Sequence, residues 1–265
     1  QDIIPIKYQI PDSIEGWADA VKMCVLSQLY GFPLDFDYNQ IRPKGAILKT
    51  SGGRAPGHEP LKLCLGEIES VLQSVKVGEK MTSMTAYDIM CYLADAVLSG
   101  GIRRAAMISL FDKDDHKMIN AKSEAFWEDN PQRMRANNSV VLDRSTVTKE
   151  DFERIWAAAR HHNSGEPGFY FTNDPTWGTN PCCEIALRPF QFCNLTEINV
   201  SDISDEVDLV ERVTAATFLG TLQAGYTSFH YLRKIWQETT EKDSLIGVSM
   251  TGIASGKILQ YDLAK

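Results

Sequence analysis

The sequence predicts an α/β protein in which helices alternate with parallel strands, either as an open sheet or as a barrel. Apolar residues recur at three- and four-residue steps in several segments, as they do on the buried face of a helix. Short apolar runs follow two of these segments, as strands follow helices in β-α units. A chain of 265 residues that is 43% apolar and 23% charged is large enough to fold around a core of its own.

Three helices are predicted before the first clear strand. The first begins after a cap at Ser13 and ends near Gly31, the second follows Pro60, and the third runs from Thr85 to Gly100. The apolar faces of the first two consist of Ile14, Trp17, Val21, Val25 and Leu29, and of Leu61, Leu65, Ile68 and Leu72.

The alternation continues along the rest of the chain. Residues 105–111 are typical of a buried strand, and a helix capped by Thr148, with Asp151 three residues later, precedes strand-like residues 168–171. A long helix is predicted over residues 208–232.

Charge and composition exclude several functions. The net charge of −8 argues against a broad footprint on nucleic acid, and no apolar run approaches the roughly 20 residues of a membrane helix. The first residues lack the basic and apolar parts of a signal peptide, so we expect a soluble, cytoplasmic protein, or one in the host cytoplasm if phage-encoded. The spacing of the six cysteines excludes paired zinc knuckles, which leaves buried thiols or redox chemistry.

Two glycine-rich loops carry basic residues. One combines residues 42–45 with residues 51–60, and the other is residues 99–104. Glycines let the backbone approach a ligand, and arginine and lysine side chains pair with phosphate. Ordinary turns with solvated charges, and a glycine cap at a helix end, explain the same residues without a ligand, so both interpretations stay open.

The densest chemistry lies around Cys182, Cys183 and Cys193, three thiols within twelve residues. In an extended segment side chains alternate, so Asn180, Cys182 and Glu184 would point to one side and Cys183 to the other. Such an arrangement would gather an amide, a sulfur and a proton carrier around one small volume. A buried pair of thiols packed as small apolar side chains is the alternative.

These residues resemble the finger loop of ribonucleotide reductase catalytic chains, in which Asn-x-Cys-x-Glu is followed by a second cysteine. Further motifs stand in the order that the family shows, and the resemblance runs from about Pro11 to about Ala254. These motifs are Ile41-Arg42-Pro43-Lys44-Gly45, Gly52-Gly53, Ser99-Gly100-Gly101-Ile102-Arg103-Arg104, Ala136-Asn137-Asn138-Ser139-Val140 and Gly165-Glu166-Pro167-Gly168.

The resemblance implies a ten-stranded α/β barrel of two five-stranded halves, with residues 1–265 as the barrel domain and the finger loop at its centre. By position, Cys182 corresponds to the cysteine whose thiyl radical takes the 3'-hydrogen of the ribose. Cys193 corresponds to one of two thiols that reduce the 2'-carbon and end as a disulfide. Glu184 corresponds to the general base at the 3'-hydroxyl, and Asn180 to the amide that orients the substrate. We therefore expect the Cys182 sulfur to project into an enclosed cavity between Asn180 and Glu184.

The same resemblance implies sites for two nucleotides, a ribonucleotide substrate and a deoxynucleotide or ATP effector, together with a thioredoxin-like reductant. The residues expected in the substrate pocket are Gly52, Gly53, Asn138 and Ser139. The residues expected in the specificity loop are Ser99, Gly100, Gly101, Arg103 and Arg104. Arg42 and Lys44 are expected beside the first effector loop.

The sequence departs from the family at two places. The family's other redox cysteine lies on a strand before the first helix, where this chain has no cysteine. The family's phosphate-binding loop would follow residues 247–252, but this sequence does not contain it. We therefore expect an internal portion of a longer catalytic chain, or a chain complemented by a separate polypeptide. The context of Cys182 favours adenosylcobalamin as the radical source, with a separate radical-generating metalloprotein subunit as the alternative.

Two other functions stay open. The chain could be a nucleotide-binding regulatory or interaction module that keeps the barrel loops without catalysis. It could also be a thiol oxidoreductase built on its three clustered cysteines, although it lacks the CxxC motif at a helix start that such enzymes use.

Overall fold

The computed structural model describes residues 4–49, 53–98 and 106–261. The chain divides into two compact units, Gln1–Pro175 and Thr176–Lys265, which are called unit 1 and unit 2 below. Within the described residues both units are mixed α/β, as the sequence predicts, and no helix has the length and apolarity needed to cross a bilayer.

Unit 1 opens with two parallel strands joined by a helix. Strands β1 (Ile6–Gln9) and β2 (Leu34–Asp37) flank helix α1 (Ile14–Tyr30). The predicted ends of α1 are confirmed, since the Ser13 side chain accepts from the Gly16 backbone N–H at 2.9 Å and Gly31 ends the helix at φ 71°.

The predicted buried face of α1 is only partly correct. Ile14 and Leu29 are 82% and 67% exposed, and the buried residues of the helix are Gly16, Ala20, Cys24 and Ser27. Gly16 lies so close to the Pro11 carbonyl that a side chain there would overlap it. Close packing of these small residues therefore leaves Ile14 and Leu29, at the two ends of the predicted apolar face, exposed to solvent.

The next two helices, α2 (Glu59–Gln73) and α3 (Ser83–Leu98), pack against each other and α2 also packs against α1. The predicted face of α2 is confirmed, because Leu61, Leu65, Ile68 and Leu72 are all buried in one core cluster. The predicted end of α3 at Gly100 lies outside the described residues.

A three-stranded parallel sheet forms the rest of unit 1. Its order is β3 (Met107–Asp112), β4 (Ala136–Asp143) and β5 (Gly168–Thr172), with the short helices α4 (His116–Ile119) and α5 (Phe126–Asp129) between β3 and β4. Helix α6 (Lys149–His162) connects β4 to β5, and its predicted capping box between Thr148 and Asp151 is confirmed.

That cap makes the stability of unit 1 depend on pH. Hydrogen bonding to the Lys113 ammonium, 3.0 Å from Oδ1, and then to the Thr148 backbone N–H lowers the pKa of Asp151 from 3.8 to about 2. Because the folded pKa is depressed, this contribution is present above pH 3.8 and is lost as the pH falls toward 2. We expect Asp151→Asn to flatten the fall in unfolding free energy across that window, measured by urea unfolding, while Asp129→Asn, at an exposed carboxylate, leaves the fall unchanged.

Unit 2 contains a short antiparallel hairpin and a parallel pair of strands. The hairpin joins β6 (Gly178–Thr179) to β7 (Ala186–Leu187), and the pair consists of β8 (Asn194–Asn199) and β9 (Ile246–Thr251). Between β8 and β9 lie α7 (Glu206–Ala224) and α8 (Lys234–Asp243).

The single long helix predicted over 208–232 is wrong in its second part. Helix α7 ends at Ala224 with Gly225 as its C-cap, and the chain is not helical again until Lys234. Glycine propagates a helix poorly, and Tyr226 and Phe229 pack edge to face with ring centroids 5.6 Å apart in the intervening segment. Tertiary packing of these aromatic residues thus replaces helical continuity.

The described residues support the α/β class without showing a complete barrel. They form separate sheets of two, three, two and two strands. The parallel pairs β1 with β2, β4 with β5, and β8 with β9 are each connected through at least one helix, which is the β-α arrangement predicted from the sequence.

Candidate functional site

The hairpin between β6 and β7 carries the cysteine motif. Thr179 pairs with Ala186, and the turn between them is closed by the Asn180 side chain. Asn180 Oδ1 accepts from the Ile185 backbone N–H at 3.1 Å, while the Asn180 carbonyl accepts from the Cys183 N–H at 3.0 Å. Asn180 therefore fixes the shape of the turn that presents the thiols.

This turn corrects the predicted backbone around Cys182. The sequence argument assumed an extended segment, but residues 181–183 form a turn with Cys183 at φ 68°. Strict alternation of Asn180, Cys182 and Glu184 does not apply there, because alternation requires extended φ and ψ values. Cys182 and Cys183 are both exposed, so the expected enclosed cavity around the Cys182 sulfur is not formed by the described residues.

The left-handed conformation of Cys183 leads to a stability prediction. A positive φ raises the conformational free energy of any residue with a side chain, and it does so most for a β-branched residue. We expect Cys183→Val to lower the free energy of unfolding by about 1–2 kcal/mol relative to Cys183→Gly, measured by denaturant titration. Equal stability of the two variants would contradict the conformation of this turn.

Cys193 lies where the chain enters β8 and is half-buried. Burial and then the negative charge of the Glu184 carboxylate raise the pKa of the Cys193 thiol. The acid of the hairpin and the downstream thiol are thus electrostatic neighbours within unit 2. This neutral-thiol environment suits a group that delivers hydrogen rather than a free thiolate nucleophile.

The other three cysteines lie in the cores of unit 1. Cys24, Cys64 and Cys91 are buried, and burial raises their pKa values to about 11, about 12 and about 11. Such thiols are packing groups in their present surroundings.

The predicted substrate residues of β4 lie on opposite faces of the sheet. Asn138 faces the helices, is 2% exposed, and accepts at Oδ1 from the Tyr87 hydroxyl of α3 at 2.8 Å. Ser139 points to the other face, with the exposed Asn137. The sequence argument took Asn138 and Ser139 as neighbours in one pocket, whereas strand alternation separates them.

The predicted nucleotide loops are described only in part. Gly52 and the specificity-loop residues Ser99, Gly100, Gly101, Arg103 and Arg104 lie outside the described residues. Gly53 follows the first of these gaps with φ 77°. Arg42 donates from Nε to Asp12 Oδ2 at 2.7 Å, and Lys44 packs against Gly57.

Arg42 also borders a large cavity in unit 1. The cavity has a volume of about 710 Å³ and lies among α1, α2, α3 and the segments 41–48 and 55–57. Most of its lining is apolar, including Trp17, Leu61 and Leu93, and its polar lining residues are Asp12, Ser13 and Arg42. A cavity of this size and composition fits a small organic molecule with one polar end.

No family model matches the chain, but comparison with known proteins finds relatives over nearly its whole length. An adenosylcobalamin-dependent ribonucleoside-triphosphate reductase of Lactobacillus delbrueckii subsp. bulgaricus is 30% identical in an alignment 276 positions long, which covers 96% of this chain and 36% of that protein. One from Lacticaseibacillus paracasei is 32% identical in an alignment 273 positions long, which covers 92% of this chain and 34% of that protein. This chain is homologous to part of the ribonucleotide reductase catalytic chain.

A solved structure supports the same relationship. The crystal structure of a B12-dependent, class II ribonucleotide reductase matches 96% of this chain and 37% of its own length, with a TM-score of 0.68 and 27% identity. A probable reductase of the same kind from Dictyostelium discoideum is 29% identical over 272 residues. The chain spans about a third of the length of the ribonucleotide reductases that it matches.

Proposed function

We propose that the protein carrying this chain reduces ribonucleotides to 2'-deoxyribonucleotides by thiyl-radical chemistry, with ribonucleoside triphosphates as substrates. The observation that carries the proposal is the hairpin of unit 2, where Asn180, Cys182 and Glu184 occur together and the Glu184 carboxylate is an electrostatic neighbour of Cys193. This hairpin lies inside a stretch that is homologous to ribonucleotide reductases over nearly the whole chain.

Each side chain has one chemical task in this proposal. The Cys182 sulfur radical takes the 3'-hydrogen, which leaves a carbon radical, and Glu184 takes the 3'-hydroxyl proton. The 2'-hydroxyl then leaves as water, and two thiols supply two electrons and close a disulfide. Return of the hydrogen from Cys182 to the 3'-carbon restores the sulfur radical. In sum, one ribonucleotide and two thiols yield one deoxyribonucleotide, one disulfide and water.

Cys193 supplies one of these two thiols. Residues 4–13 contain no cysteine, and the three cysteines of unit 1 are buried in cores. The second thiol therefore belongs, in our proposal, to a part of the enzyme outside the matched third or to a complementing chain. A thioredoxin-like protein would reduce the resulting disulfide between turnovers.

We propose adenosylcobalamin as the radical source. The support is that relatives matching more than nine-tenths of this chain are named as adenosylcobalamin-dependent reductases. The exposed Cys182 on its turn can be approached by so large a group. When bound, the cofactor supplies a radical by homolysis of its cobalt–carbon bond, and the hairpin would present Cys182 to it.

A sulfur radical also needs protection from solvent, which unit 2 alone does not provide for Cys182. We propose that the sheets described here are parts of a ten-stranded barrel and that the complete barrel encloses the hairpin. Ser139, Gly52 and Gly53 would lie toward the substrate in that arrangement, whereas Asn138 would support β4 from behind through Tyr87.

We further propose that the cavity in unit 1 receives the effector nucleotide. Its apolar walls suit a base, and Arg42 at its border would bind a phosphate by exchanging its present partner Asp12 for it, with Lys44 two residues later adding positive charge. The specificity loop at residues 99–104 follows α3, which lines this cavity through Leu93 and Ala96. An effector would then alter substrate choice through contacts that differ between two arrangements of that loop.

An assay of the purified protein with each ribonucleoside triphosphate and a dithiol reductant tests the function. We expect deoxyribonucleotide formation that requires added adenosylcobalamin. Formation that instead requires a second, metal-containing protein would contradict the cofactor assignment. Nucleotide binding without reduction under either condition would overturn the enzymatic proposal in favour of a binding module.

A further inference from the structure

Aromatic contacts with α8 hold the segment that leads to Cys193. Phe190 has φ 66°, an unfavourable backbone for a bulky residue. Its ring centroid lies 5.5 Å from that of Trp236 in α8, and the Arg233 guanidinium lies over the Phe190 ring at 4.8 Å from its centroid. A strained conformation of this kind persists only where its surroundings enforce it.

The same indole also holds the residue next to the thiol. Phe192 packs on Trp236 with ring centroids 4.8 Å apart and on Phe229 at 5.0 Å. Trp236 therefore contacts the rings on both sides of Gln191, and Phe190, Phe192 and Trp236 are called the aromatic clamp below. Aromatic pairs at these separations attract each other beyond their burial alone.

Hydrogen bonds anchor the same segment to the end of α8 and the start of β9. Gln191 donates to Asp243 Oδ2 at 2.5 Å, and its own Oε1 accepts from the Arg188 backbone N–H at 2.6 Å. Asn194, directly after the thiol, donates to the Leu245 carbonyl at 3.0 Å. Cys193 is thus flanked on both sides by residues fixed to one short stretch of chain.

We propose that Trp236 is a positioning residue that, through the aromatic clamp, fixes the backbone presenting the Cys193 thiol for reduction of the substrate. The proposal rests on the proposed function, in which Cys193 is one of the two reducing thiols. A thiol that delivers hydrogen and then closes a disulfide must keep its sulfur within a narrow range of positions. The aromatic clamp, whose residues take no part in the reaction, restricts the position of the Cys193 sulfur in this way.

The test follows alkylation of Cys193 by iodoacetamide across pH, read by mass spectrometry of the peptide that contains it. Trp236→Leu removes both ring contacts, so we expect Cys193 to lose its half-buried setting beside Glu184. The Cys193 thiol should then react with iodoacetamide at least about 3-fold faster near neutral pH, and the pH profile of its alkylation should move to lower pH. Trp236→Phe, which keeps a ring, should retain the wild-type profile. Cys182 in the same samples is the internal reference.

Trp156→Leu is the matched control, because Trp156 is a half-exposed tryptophan stacked on Phe152 in unit 1. It should leave the Cys193 profile unchanged. If Trp236→Leu does not fold by circular dichroism, Phe190→Gly replaces it, since glycine tolerates the positive φ while removing one clamp ring. An unchanged Cys193 profile in the folded clamp variant would overturn the proposal.

Turnover separates this inference from the function on which it rests. In the active enzyme, Trp236→Leu should lower kcat with little change in KM, and Trp236→Phe should restore it. A shifted alkylation profile with no reductase activity in the wild-type protein would support the clamp's effect on the thiol and overturn the proposed function. If the wild-type enzyme is active but Trp236→Leu leaves the Cys193 alkylation profile unaltered, the proposed role of the aromatic clamp is overturned and the proposed function is kept.

Discussion

Replacing Cys182 with serine is expected to abolish ribonucleotide reduction, with a loss on the order of 10⁴-fold or more, as for removal of an essential reacting group. A serine hydroxyl holds its hydrogen too strongly to give a radical that exchanges with the ribose 3'-hydrogen. Nucleotide binding should be retained, because the hairpin is closed by Asn180 rather than by the thiol. The measurement is deoxyribonucleotide formed per enzyme, alongside the dissociation constant of the substrate.

Cys183→Ser is the matched control, since it changes the neighbouring thiol on the same turn. We expect it to retain most of the wild-type activity. Equal losses in the two serine variants would indicate damage to the turn rather than loss of a radical site. Activity retained in Cys182→Ser would refute the assignment of the reacting sulfur.

Replacing Glu184 with glutamine is expected to lower kcat by about 10²–10⁴-fold, the range over which a positioned general base contributes. The amide cannot take the 3'-hydroxyl proton, although it fills nearly the same volume. Because Glu184 is also one cause of the raised pKa of Cys193, the variant should move the alkylation profile of Cys193 to lower pH.

Glu197→Gln serves as its control, because Glu197 is an exposed acid on β8 of the same unit. It should change neither turnover nor the Cys193 profile. A Glu184→Gln variant with wild-type kcat would exclude Glu184 as the base, and an unmoved thiol profile would contradict its position near Cys193.

Features set by local interactions were predictable from the sequence. The capped start and glycine end of α1, the face of α2 and the capping box of α6 depend on residues within one or two helical turns, and all are confirmed. The cysteine motif was recognisable for a related reason, since its residue types and spacing survive in the sequence whatever the surrounding fold.

Features set by particular side-chain contacts outside the regular helix signals, whether near or distant in the sequence, were not predictable in the same way. The turn at 181–183 depends on the Asn180 side chain bonding back to Ile185, and the break after α7 accompanies aromatic packing in residues 226–229. Nor did the sequence argument assign Asn138 to the helix-facing side of β4, where it meets Tyr87 of α3. The aromatic clamp was missed as well, because it depends on the positive φ of Phe190 and on Trp236, which lies more than forty residues later in the sequence.

The central claim is that the Cys182 sulfur removes hydrogen from the 3'-carbon of a ribonucleotide. It is tested most directly with a substrate carrying deuterium at that carbon, in the complete enzyme with adenosylcobalamin and a dithiol. The account predicts slower deoxyribonucleotide formation than with unlabelled substrate, and no product in Cys182→Ser. The account would be contradicted if that variant formed product, with no exchange of the deuterium at the 3'-carbon and no difference in rate between labelled and unlabelled substrate.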